Sequence, residues 1–405
     1  MPALKHLFLS LLALVPFTSI GQTSLKYHIT VDPDNLDQLN VSVDTRALTN
    51  ASVLPARTMR SSTQPKLSCI NANGTRTAID YQQAIQCSSV VWVLPLHLVD
   101  KNGFDPATQI DSRDANKGWY FVSEMNSLPR FNDLSKSEEI QSSLICIPDN
   151  TCYKLPSQSL PPLLLVWGQE TTQLNINNKL VTIHSDSPLV IEHLQSWKPS
   201  LVKQLNYLNQ VFPNHNLKQW QIAFFSRDKS ASSVGGAAGN NLILINALLD
   251  QGKLSHDSIQ MMLKIAAHES VHILNSHDMP TWAGESLAEY YALKSLQGTE
   301  FAVEDATTRW HQFATTFPYA KTGLLAADQA VNERQEYQYY PLFYLKGPAF
   351  WHEIDNALIH TDSSLETWLA RLTFNDDNQF TKKWINELTK QIGKDSWKHI
   401  EKRYL

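Results

Sequence analysis

The stretch from Ala267 to Leu296, AHESVHILNSHDMPTWAGESLAEYYALKSL, constrains this chain more than any other. It opens on His268-Glu269-Ser270-Val271-His272, two histidines four positions apart with a glutamate beside the first. Residues four apart share a face of an α-helix, so both imidazoles address one point in space only if the segment is helical. The run 259–274 is apolar enough for that, and Met262, Ile265, Ala266, Val271 and Ile273 are expected to pack inward. Glu285 follows after twelve intervening residues and opens a second helix, with Pro280 near its first position and Gly298 past its end. Trp282, Glu285, Ala288 and Glu289 share one face of it.

Metal-assisted hydrolysis is the chemistry that needs these residue types. Two imidazoles and one carboxylate, with a fourth position left to water, are the ligand set of a catalytic zinc. His268, His272 and Glu285 are the candidate ligands of one Zn2+ per chain, and ligand type favours zinc although affinity alone admits cobalt or nickel. Zinc lowers the pKa of a bound water from about 15.7 to near 7, and Glu269 is placed to take its proton as it attacks a peptide carbonyl.

The run Trp282-Ala283-Gly284-Glu285-Ser286-Leu287-Ala288-Glu289-Tyr290 resembles the glutamate-ligand segment of the gluzincin peptidases, where W-x-x-E-G-x-A-E-Y is common. Ser286 stands in place of the usual glycine. Further on, Tyr344-Leu345-Lys346-Gly347-Pro348-Ala349 resembles the gluzincin Y-x-K-G segment, and the opening YHITVDPDNLDQLNVSVDTR is similar to the N-terminal β-domain of glycyl-aminopeptidase-type members. The resemblance implies a thermolysin-like catalytic unit, a small mixed sheet plus helices, followed by a helical lobe, with zinc in the cleft between them. It implies that the Tyr344 hydroxyl stabilises the oxyanion and that Glu289 orients a zinc-bound histidine. Many relatives carry an additional C-terminal domain, for which no room is expected before Leu405.

The same resemblance places a substrate-binding edge strand in the glycine-rich stretch 230–241, with Gly235, Gly236, Ala237, Ala238, Gly239 and Asn240 as candidate contacts. A phosphate loop is an alternative for this stretch, but no Lys-Ser/Thr sequel and no helix directly follow. The best-known aminopeptidase branch holds the substrate amine with a glutamate here, and no acidic residue lies between Ser230 and Asn246. Endo- and exopeptidase action both stay open. So does the third ligand: Asp278 falls where metzincin peptidases carry theirs, with Asn275 in place of the turn glycine. His277 is read as a polar turn residue. A noncatalytic zincin-fold binding or assembly protein is the reading of a different class.

Residues 1–21 read as a secretory signal peptide: Lys5 and His6, an apolar run 7–17, then Ser19-Ile20-Gly21 with cleavage after Gly21. The apolar run is shorter than the roughly 20 residues of a membrane span, and no later segment qualifies. An exported protein, periplasmic or secreted, without stable membrane insertion is expected. With 34 basic and 39 acidic residues, nothing points to nucleic acid, and the expected partner is a peptide or protein substrate. The four cysteines all precede residue 160, and an even number in an exported chain points to two disulfides. Local pairing, Cys69 with Cys87 and Cys146 with Cys152, is preferred among three connectivities.

The fold class expected is α+β. A β-sandwich-like domain over 22–165 rests on short alternating or apolar runs at 27–31, 39–43, 90–98, 119–122, 143–147 and 163–167. A catalytic lobe over 166–300 is expected to hold a β segment at 173–184, a helix over 189–211 interrupted at Pro199, and strands at 219–225 and 242–246. A helical lobe over 301–405 rests on periodic pieces at 310–317, 342–357, 365–372 and 381–388.

Overall fold

The computed structural model describes residues 24–405 apart from 49, 58–63, 136–137, 141, 177, 214, 216–218, 232–233 and 241, so the expected leader at 1–21 lies outside the described residues. Across them the chain is α+β, with sheets through the first half and helices dominating from His256 onward. Three sheets precede Gly168. The largest has seven strands, and Leu25–Val31 near its middle alternates buried and exposed so that Tyr27 and Ile29 face the core. That core, which includes Trp92, Val122, Phe131 and Leu165, lies against two four-stranded sheets. Both disulfides are local: Cys69–Cys87 and Cys146–Cys152, the second joining directly opposed residues of neighbouring strands. Two disulfides fit an oxidising compartment. Among the described residues no helix is long and apolar enough to cross a membrane.

Strand Trp119–Ser123 is buried along its whole length. Val122 faces the first core, while Trp119 and Phe121, with Leu164 and Val166, pack on Ala223, Phe225, Leu242 and Leu244 of the next sheet. Burial on both faces explains why 119–122 and 163–167 read as continuous apolar runs rather than alternations.

The next sheet has five strands, in spatial order Glu170–Ile176, Lys179–Ser185, Gln219–Asp228, Leu242–Leu249 and Gly236–Ala238. Its three inner strands are parallel, and both outer ones pair antiparallel. The β segment expected at 173–184 is a hairpin, turned at Asn178 in the left-handed region (φ 62°) that Asn tolerates. Helices cover the other face, burying Trp197 and Leu201 against Ile222, Phe224, Ile243 and Ile245. The break expected at Pro199 falls instead at His193, between Pro188–Glu192 and Leu194–Val211. Pro199 stays inside the second helix, where its ring nitrogen cannot donate to the Gln195 carbonyl.

Three helices build the site region: His256–Leu274, here the motif helix; Thr281–Leu296, the glutamate helix; and Pro341–Ile359, the tyrosine helix. Buried polar bonds fix the last two against each other. The Tyr290 hydroxyl donates to Asp355 at 2.5 Å, and Lys294 reaches both Asp355 at 2.5 Å and Glu366 at 2.6 Å. Ala306–Ala314 starts four residues before the periodic piece at 310–317, because Asp305 caps it by accepting the Thr307 and Thr308 amides. Leu324–Arg334 and Lys394–Tyr404 are not among the expected pieces: alanines make much of the buried face of the first, whereas the second buries Trp397, Ile400 and Tyr404 at helical spacing.

Candidate active site

Ser255 caps the motif helix, its hydroxyl accepting the Ser258 amide at 3.2 Å. Met262, Ala266 and Val271 are buried as the pattern predicts, whereas Ile265 turns to the cleft wall and Ile273 is half-buried. Across the cleft the glutamate helix is anchored by Trp282, whose indole donates to the Asn378 carbonyl at 3.0 Å and whose backbone amide donates to Asp328 at 3.2 Å. Pro280 is its N-cap, and Gly298, past its end, takes the left-handed conformation at φ 70°.

These two helices bring His268, His272 and Glu285 together. His268 Nε2 lies 3.2 Å from His272 Nε2 and 3.3 Å from Glu285 Oε2, and His272 Nε2 is 3.7 Å from that same oxygen. Among the described residues these form the group of His, Cys, Asp and Glu side chains whose ligand atoms converge, all within 4.8 Å. Lone pairs aimed at one another this closely repel unless a cation or protons lie between them. A tetrahedral zinc with bonds of about 2.0–2.1 Å spaces its ligand atoms roughly 3.3–3.4 Å apart, so the three side chains fit such an ion with little movement. Asp278 is exposed and stands outside the group, and Asn275 has φ −76°, so the left-handed turn that would bring Asp278 inward does not form.

Glu289, one turn beyond Glu285, is buried and lies 3.2 Å from His268 Nδ1, while its other oxygen accepts Lys264 Nζ at 2.7 Å. Burial disfavours the His268 imidazolium, yet the hydrogen bonds to Glu285 and Glu289 outweigh it and hold the pKa up to about 10. Burial likewise opposes ionisation of Glu289, but Lys264 and His268 bring its carboxyl down to about 2. Glu269 is pushed above the usual carboxylate range by burial. A side chain at Gly236 would come within 2.5 Å of Ile265 and 2.9 Å of Glu269, so the glycine lets the edge strand lie directly on the Glu269 side chain.

Tyr344, on the tyrosine helix, donates its hydroxyl to Glu285 Oε2 at 2.6 Å and stacks on the His268 ring, 5.4 Å between centroids. Burial and the Glu285 carboxylate push its pKa well above the ordinary phenol value, which keeps it a neutral donor.

The cleft over these groups has a volume of about 710 Å³. Gly235, Gly236, Ala237 and Ala238 line it, and within the glycine-rich stretch the strand is short, Gly236–Ala238. Gly239 and Asn240 do not line it: the Asn240 amide donates to the Pro162 carbonyl at 2.7 Å, and Leu164 fills the space a Gly239 side chain would need. Sequence reasoning missed Met261, Lys264 and Tyr340, which also line the cleft. Helical spacing was the available signal, since Lys264 precedes His268, and Tyr340 precedes Tyr344, by one turn. Ala107, Gln109 and Pro161 reach the cleft from the N-terminal β-part, a long-range placement that no local pattern encodes.

No protein-family model matches the chain, and no curated protein does. Among solved structures it is similar to an aminopeptidase N family protein from Idiomarina loihiensis, at a TM-score of 0.58 and 10% identity, over 86% of this chain and 69% of that one. At that identity the likeness is one of fold alone, a mixed α+β arrangement.

Proposed function

We propose that this protein is an exported zinc metallopeptidase of the gluzincin type, with His268, His272 and Glu285 as ligands of one zinc ion. The observation that carries the reading is the convergence of those three donor atoms beside the buried, non-ligating carboxylate of Glu269. When bound, zinc supplies a Lewis acid for a carbonyl oxygen and lowers the pKa of water to near 7. Glu269 takes a proton from the attacking water and passes it to the departing amine. The Tyr344 hydroxyl, a neutral donor beside the metal position, turns to the oxyanion that forms as the carbonyl is attacked. Glu289, itself held by Lys264, accepts from His268 Nδ1 and fixes the ring so that Nε2 faces the metal. Among the described residues, strand Gly236–Ala238 pairs on one side only, and its other edge is offered to an extended peptide.

A noncatalytic metal holder has no need of Glu269, whose burial costs free energy without binding the ion. The test is zinc stoichiometry on the purified protein together with cleavage of a peptide library, using Glu269→Gln as control. Zinc at one per chain and products absent from the variant are expected. A wild type that binds zinc and cleaves nothing the variant spares ends the enzyme reading.

A further inference from the structure

An enzyme that removes residues from a free N-terminus must hold an α-ammonium beside the scissile bond, which calls for an ionised carboxylate not already neutralised. The cleft offers three carboxylates, and each is committed. Glu285 accepts the Tyr344 hydroxyl and faces both imidazoles; Glu289 is shared by Lys264 and His268; Glu269 lies beneath Gly236. The edge-strand wall adds none, since no acidic residue occurs between Asp228 and Asp250. Lys264, on the motif helix, also lines the cleft, with its ammonium paired to Glu289 at 2.7 Å.

A second hollow lies next to the cleft. Ala107 and Gln109 border both the cleft and this hollow of about 1280 Å³ in the N-terminal β-part. Lys66, Arg76 and His97 line that hollow with Val93 and Met125, and its acidic side chain, Asp111, accepts the Ser123 amide at 2.8 Å. We infer that the site cuts internal bonds of an extended polypeptide, whose flanking segment runs over Gln109 into the second hollow, and that it does not select a free α-amine. This rests on the peptidase reading above.

The experiment compares two peptides of the same dozen-residue sequence, one with a free and one with an acetylated N-terminus, and identifies products by mass spectrometry. Acetylated peptide cleaved at an internal bond, with kcat/KM within about 3-fold of the free peptide or above it, is the expected result. Binding to the Glu269→Gln protein, read by calorimetry, is expected to be no weaker for the acetylated form. Stepwise loss of N-terminal residues that acetylation slows by about 100-fold, or free peptide bound more than about 10-fold tighter, overturns the inference and leaves the peptidase standing. If zinc-loaded protein cleaves neither peptide beyond the Glu269→Gln level, the peptidase reading itself falls and takes the inference with it.

Discussion

Ser286 occupies the space into which a side chain at Gly347 would project, so the glutamate and tyrosine helices touch where they carry Glu285 and Tyr344. Ser286 is the residue after Glu285, and Gly347 lies one turn after Tyr344. Close approach at the first pair therefore sets the 2.6 Å hydrogen bond at the second. The Ser286 hydroxyl is folded back onto the Trp282 carbonyl, which leaves it little freedom to yield.

Gly347→Ala is accordingly expected to destabilise the protein by about 1–3 kcal/mol, the usual cost of overpacking, despite the better helix propensity of alanine. Denaturant unfolding measures it. Adding Ser286→Gly should recover much of the loss, because it empties the space the new methyl needs. A double variant no more stable than Gly347→Ala would show that the two residues do not share this contact.

Much of this contact was hidden in the sequence, and the reasons are physical. The His268 and His272 pair was legible because helical spacing is a local rule, and Tyr344 because its segment has a recognisable order. Lys264 obeys the same spacing but looks like any solvated lysine until Glu289 is seen to meet it. Gln109 reaches the cleft only through packing of one sheet on another, and the fully buried strand Trp119–Ser123 records that packing as an apolar run without saying what covers it. The hairpin at Asn178 reads as one β segment because its turn rests on a single residue's φ, and the helix break expected at Pro199 lies at His193, whose backbone is unremarkable in φ.

The ligand assignment separates two acidic residues. Glu285→Ala should weaken zinc binding by about 10-fold or more, while Asp278→Ala, exposed and outside the converging group, should leave it unchanged. Competition against a chromogenic chelator gives both affinities. The reverse order would move the third ligand to Asp278.

For Tyr344→Phe the expected result is a fall in kcat of about 10²-fold, on the scale of losing one oxyanion donor, with zinc retained. Loss of the hydroxyl also frees a Glu285 oxygen, so zinc affinity must be measured alongside. An unchanged kcat removes this hydroxyl from the mechanism.

At Gly236 the consequence of an added methyl falls on Glu269. Gly236→Ala is expected to displace the Ile265 and Glu269 side chains by a few tenths of an ångström or more, lowering kcat well beyond any effect on zinc content. Metal analysis and steady-state kinetics on one preparation decide it. If kcat holds, the edge strand is free to shift and the glycine is not what sets its distance from Glu269.

The last prediction concerns pH and lies away from the metal. Burial pushes the Asp111 carboxyl up to about 7, although the Ser123 amide donates to it. In the unfolded chain the same group titrates near 3.9. Between about pH 4 and pH 7 the folded state therefore binds more protons than the unfolded one, and stability falls as pH rises through that window, with the full cost present above about pH 7. Asp111→Asn keeps an acceptor for the Ser123 amide but cannot ionise, and where Asp111 accepts the Ser127 hydroxyl its side-chain NH2 donates to that hydroxyl instead. Relative to wild type, the variant should gain in Tm as pH is raised from 4 to 8 and show no further gain above that. Thermal scans at several pH values across this range test it, and a Tm difference that stays constant with pH would mean that Asp111 titrates as an ordinary exposed carboxylate.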